Sequence, residues 1–169
     1  MKSIIVTLVC LISFSATAQY SGAYKVKRGF SETLSVSATE QLGKMRVVLK
    51  SEDRSSHSKH KIVIVGALRG TLNQTDLTLS HVLVNKERTG TIYTAGDTIT
   101  VFHEGDPLCA SGTPFVFEER LNIVKGSGIY SGVQYGSYID VKGVVNNCPE
   151  LPGYGRNDFE VVGGSVNFQ

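Results

Sequence analysis

The sequence has no tryptophan, only four prolines and two methionines, and no excess of one charge: 17 basic against 15 acidic residues over 169 positions. Near-neutrality leaves no electrostatic footprint for nucleic acid or an anionic membrane surface, so neither is expected as a partner. No stretch in the body of the chain approaches the roughly 20 apolar residues needed to span a bilayer as a helix, so no integral membrane segment is expected there. Long amphipathic helical patterns are also scarce. Three cysteines are too few for a disulfide-rich miniprotein, and none belongs to a Cys-x-x-Cys pair.

The first 18 residues are unlike the rest. Met1 and Lys2 form a short positive start, Ile4 to Ile12 is almost continuously apolar, and Ala16-Thr17-Ala18 is a small-x-small site. This is the layout of a secretory signal peptide cleaved after Ala18, giving a secreted or periplasmic chain of residues 19–169. Cys10 falls within the removed segment, and Val9 before it does not suit lipid attachment. Two cysteines remain, Cys109 and Cys148, and an even pair in an exported protein reads as a disulfide. It would close a loop of about 40 residues, worth about 4 kcal/mol in the chain-entropy view.

Glycine is abundant, with 18 residues, and short β-branched runs alternate with turn residues. Strands are expected at 33–37, 45–49, 61–72, 77–84, 91–93, 98–102, 114–124, 135–145 and 159–168. The fourth slips in its alternation near His81, and Gly163-Gly164 marks a bulge or kink in the last. Ala95-Gly96-Asp97 reads as a hairpin turn. Residues 38–50 carry a competing helical pattern, Ala38, Leu42, Met45 and Leu49, behind a Ser37–Glu40 capping box. Residues 51–61, 105–114 and 146–158 read as loops, the last two tied together by the disulfide. The expected fold is all-β: one antiparallel barrel of about eight strands, with little or no helix apart from the signal peptide. Closure removes exposed edges, and a barrel of this size either fills with side chains or holds one small ligand.

Chemistry is sparse. Nucleophile elbows, zinc-protease motifs and phosphate loops are missing. Gly126-Ser127-Gly128-Ile129-Tyr130-Ser131-Gly132 fails the dinucleotide pattern at Ser131 and precedes no helix, so it reads as a strand connection with an aromatic packed over glycine. His57 and His60 share a charged loop without further ligands, and no metal or cofactor is expected. His81, between Leu79 and Leu83, reads as a half-buried strand residue. The catalytic candidates are His103 and Glu104 at a strand end, and Glu118 and Glu119 inside the apolar 114–124 strand. Alternation puts one of those two glutamates on the side of Phe115 and Phe117, where Arg120 or a tyrosine could pair with it. A rim or outer-face ion pair is the commoner fate of such a glutamate.

The segment Leu121 to Ser137, with Gly126-Ser127-Gly128, Tyr130, Gly132 and Gly136, resembles the glycine-rich hairpin of the allene oxide cyclase and dirigent-like barrel superfamily. Ser127 stands where threonine is usual. The Cys148 loop and final strand are also similar to secreted bacterial barrels of that type. The resemblance covers the last third of the chain and implies an eight-stranded barrel with a central cavity. Cyclases of the superfamily isomerise a fatty-acid epoxide, and dirigent proteins orient phenoxy radicals. No catalytic residue carries over, because their motifs do not align with the N-terminal part.

The resulting expectation is an exported, non-enzymatic barrel that binds a small apolar or aromatic molecule. The alternatives are a cofactor-free isomerase or cyclase using Glu118 or Glu119 with a tyrosine, and an envelope structural or interaction protein.

Overall fold

The computed structural model describes residues 20–53, 59–76 and 78–169. The signal-peptide reading, His57 and Leu77 lie outside these residues. Among those described there is no helix; nine antiparallel strands follow one another. They are β1 (Gly22–Ser37), β2 (Glu40–Ser51), β3 (Lys61–Asn73), β4 (Thr78–Asn85), β5 (Gly90–Thr94), β6 (Thr98–Glu104), β7 (Phe115–Gly128), β8 (Ser137–Val145) and β9 (Arg156–Phe168). Eight of them close into a ring in the order β1-β2-β3-β4-β5-β7-β8-β9, with β9 back beside β1. The ninth, β6, lies outside the ring and pairs only with β7.

The helical alternative for residues 38–50 gives way to β2, which pairs with β1 and β3 along its whole length. Its β-branched and apolar positions Met45, Val47 and Leu49 sit in the core, where two neighbouring strands outweigh a local helical spacing interrupted by Gly43.

The hairpin expected at Ala95-Gly96-Asp97 does not form. β5 and β6 flank that turn but pair with successive parts of one strand: β5 with Ile123–Gly128 of β7, β6 with Val116–Arg120. The turn is stitched to β7 itself. Ala95 N donates to Asn122 O at 3.1 Å, Asn122 Nδ2 donates to Gly96 O at 2.7 Å, and Asn122 N donates to the Asp97 carboxylate at 2.7 Å. Gly96 takes φ +63°, a conformation that favours glycine. The consequence is a wall that parts halfway along. β4 pairs with β5 only through Val82–Val84, and the backbone of Thr78 to His81 meets the β6 side only at Leu79, which bridges Asp97.

The two ends of the barrel differ. At one, Tyr20 stacks on Tyr130 at 5.8 Å and Phe168 packs edge-on against Tyr24 at 5.7 Å, closing that end with aromatic rings. Gly126 and Gly90 lie directly against Tyr130, so the glycine-rich segment is the close-packed strand connection its sequence suggests. The expected bulge is also present: the β8–β9 register shifts between Asp140 and Val141, at Gly163. At the other end lie the β1–β2, β3–β4 and β8–β9 connections and the loop between β6 and β7. The Cys109–Cys148 disulfide, Cα to Cα 5.2 Å, joins the last two of these connections.

Candidate functional site

The half of the barrel beneath the disulfide is not filled by side chains. A cavity of about 340 Å³ opens there, at the small end of the range typical of ligand sites. Leu72, Leu79 and Ile99 line it where β4 and β6 part, and Pro107 and Asn147 line it beside the two cysteines. Phe115, Phe117 and Phe159 form an aromatic wall: the first two stack at 4.5 Å, and Phe159 meets Phe117 edge-on at 6.2 Å. Gly143 leaves the room these rings use, since a Cβ there would stand 2.6 Å from the Phe159 ring.

The polar part comes from strands whose apolar residues face outward. In β1, Thr33 and Ser35 take the inner positions while Leu34 and Val36 are 58% and 53% exposed. Thr33 Oγ1 donates to Gln41 Oε1 at 2.6 Å, and Asn157 Nδ2 donates to Ser35 Oγ at 3.1 Å and to Gln41 Oε1 at 3.3 Å. Gln41 Nε2 then lies 3.4 Å from His81 Nε2 and donates to it when the ring is neutral.

His81 is 3% exposed, not half-buried as its sequence suggests. The alternation of β4 does not slip. Leu79, His81 and Leu83 keep the inward parity, and Val82 and Val84 take the outer face. His81 Nδ1 donates to Asp97 Oδ2 at 2.8 Å. Asp97 is fully engaged: Thr94 Oγ1 also donates to Oδ2, and Asn122 N to Oδ1. Burial works against protonation of His81, but its hydrogen bond to Asp97 and the charges of Glu119 and Asp97 outweigh it, and its pKa is raised.

Glu119 completes the site. Alternation along β7 sends Phe115, Phe117, Glu119, Leu121 and Ile123 inward, and Glu119 is 2% exposed. It lines the inner end of the cavity and, on its far side, a void of about 20 Å³. Its Oε1 has no hydrogen-bond partner. Burial pushes its pKa up to about 7; the nearby His81 opposes this and Asp97 adds to it. Oxygen or nitrogen atoms of His81, Asp97 and Glu119 lie within 4.8 Å of one another, a spacing compatible with a metal ion. With both Asp97 oxygens and His81 Nδ1 committed to hydrogen bonds and His81 Nε2 facing Gln41 Nε2, Glu119 alone keeps an unpartnered oxygen, so the geometry is that of a hydrogen-bonded His–Asp pair beside a carboxyl group.

The remaining candidates lie elsewhere. Glu118 faces outward and accepts from His103 Nε2 at 3.1 Å, an exposed pair on the outer surface. Glu104 is exposed at the end of β6. Arg120, expected as a partner for an inward glutamate, points outward and forms a two-point ion pair with Asp140, 2.8 and 3.1 Å. Among the described residues no tyrosine lines the cavity, so the expected Glu–Tyr pair is replaced by Glu119 beside His81. Asp106, in the loop after β6, is held by backbone groups. Its carboxylate caps the loop by accepting from the backbone N–H groups of Leu108, Ala110 and Ser111, which hold its pKa down at about 2.

No family model matches the chain, and no curated protein or solved structure matches it either.

Proposed function

We propose that the protein is an exported barrel that binds a small, mostly apolar molecule in the cavity beneath its disulfide. The observation that carries this is the cavity itself: aromatic and aliphatic walls around a few convergent polar groups, in a barrel whose opposite end is closed by packed rings. The signal-peptide character of residues 1–18 and the disulfide fit an oxidising compartment outside the cytoplasm. The allene oxide cyclase and dirigent-like resemblance of residues 121–137 supports the same reading, since such barrels house small apolar molecules. The test is titration with neutral N-phenylnaphthylamine, whose fluorescence rises in apolar surroundings. Saturable one-to-one binding that Leu79→Trp abolishes supports the proposal; no saturable binding, or equal binding by the variant, overturns it.

Glu119 favours a second reading, a cofactor-free isomerase. A buried carboxyl group poised near neutrality, with a His–Asp pair beside it, can take a proton from a bound carbon acid and return it at another atom. Deuterium exchange into a cavity-sized ketone, lost in Glu119→Gln, is the corresponding measurement; exchange at the solvent rate in the wild type excludes this reading.

A further inference from the structure

The chemical class of the ligand can be narrowed from the groups that face it. The ionisable residues lining the cavity are Glu40 and Glu119, both acidic; among the described residues no lysine, arginine or histidine lines it. Glu40 is already engaged, with Arg69 Nε 2.7 Å from its carboxylate. Glu119 is not: its Oε1 is buried and without a partner, and Arg120 beside it in sequence points to the outer face, on Asp140. A second lining residue repeats the pattern. Asn157 spends its amide hydrogens on Thr33, Ser35 and Gln41, which leaves Oδ1 buried and unpartnered. With Glu119 ionised, the unpartnered oxygens of these two lining residues are both acceptors. A ligand that satisfies them must bring donors and no negative charge.

We propose that the cavity selects an amphiphilic amine, its ammonium group set against Glu119 and its apolar body against Phe115, Phe117 and Phe159. An ammonium carries three donors and no acceptor, and it sets a positive charge against the Glu119 carboxyl from the cavity side, where the lining offers none. Aromatic faces add cation–π attraction where water is excluded. A carboxylate or phenolate ligand would instead meet a second negative charge and two unpaired acceptors in a low-dielectric pocket. This inference rests on the cavity-binding reading and goes beyond it.

The test compares three ligands of one shape at neutral pH: phenylpropylamine, phenylpropanol and phenylpropanoate, each displacing N-phenylnaphthylamine. The amine is expected to bind about tenfold tighter than the alcohol, with the acid weakest. Glu119→Gln should erase that preference and leave the alcohol within about twofold, whereas Glu119→Asp should retain part of it. An alcohol or acid that binds as tightly as the amine overturns the proposal, as does an amine preference that survives in Glu119→Gln. If the naphthylamine binds but none of the three displaces it, the amine proposal fails and the cavity reading stands. If the naphthylamine itself does not bind, both fall.

Discussion

His81 Nδ1 and Asp97 Oδ2 stand 2.8 Å apart with both side chains closed off from solvent, in a wall where two strands have parted. The pair does the work that strand pairing does elsewhere in the barrel. Asp97 anchors the β5–β6 turn to β7 through Asn122, and His81 ties the same carboxylate to β4. Removing one partner leaves the other buried and unmatched, so Asp97→Leu should lower stability by about 3–5 kcal/mol. His81→Leu together with Asp97→Leu should cost less than the sum of the two, because the double variant leaves no lone polar group of the pair. Urea unfolding of the four proteins reads the coupling directly; strict additivity would mean the contact contributes nothing of its own.

Glu119 makes stability depend on pH in a direction opposite to most carboxylates. Its folded pKa is raised from 4.5 to about 7, so the native state holds this proton where the unfolded chain releases it. Stability from this group is complete below pH 4.5, declines as pH rises, and levels off above about 7, a loss of about 3 kcal/mol. His81, on β4, has a raised pKa and adds a decline of the same sign at higher pH; Asp97 is the other charged group packed against both. Glu119→Gln should flatten the acid part of the profile. Unfolding free energies at a series of pH values check this, and parallel profiles for the two proteins would refute it.

The disulfide restrains the two loops that roof the cavity. Replacing both cysteines, Cys109→Ser with Cys148→Ser, should cost about 4 kcal/mol, since their sequence separation is 39 residues. Pro107 and Asn147 flank the cysteines and line the cavity, and Asn147 Nδ2 donates to Pro107 O at 2.9 Å. Loosening this roof should therefore raise the off-rate of a bound naphthylamine more than it slows binding. Stopped-flow fluorescence of the oxidised and double-serine proteins separates the two rates.

Part of this site is legible in the sequence and part is not. Glu119 shares the parity of Phe115, Phe117, Leu121 and Ile123, so one inward glutamate is readable from β7 alone. His81 is hidden because Val82 and Val84 form a second apolar series on the outer face of β4, and the eye joins them to Leu79. The inward parity of Leu79, His81 and Leu83 is the signal that finds it. Asp97 is hidden differently. Ala-Gly-Asp between two β-branched runs is hairpin chemistry, and nothing local tells that both flanking strands pair with one long partner. The inner face of β1 inverts the usual rule, with Leu34 and Val36 outside and Thr33 and Ser35 inside. Alternation fixes the two faces of a strand but not which of them meets a cavity.

Gly143 tests whether the aromatic wall and the cavity share one packing constraint. Its position on β8 faces inward, pressed against the Phe159 ring, with Phe117 3.4 Å from where a Cβ would lie. Gly143→Ala puts a methyl group into space the ring now occupies. The ring can yield only by moving away from β8, into the cavity or against Phe117. Overpacking of this kind should cost about 1–3 kcal/mol, which for a barrel of this size lowers Tm by several degrees, at about 2–4 °C per kcal/mol. The same displacement should shrink the cavity and weaken naphthylamine binding, so the two readouts should fall together. Differential scanning calorimetry and the fluorescence titration check this on one preparation. A fall in Tm with unchanged affinity would show that Phe159 relaxes toward Phe117 and that the cavity keeps its shape without Gly143.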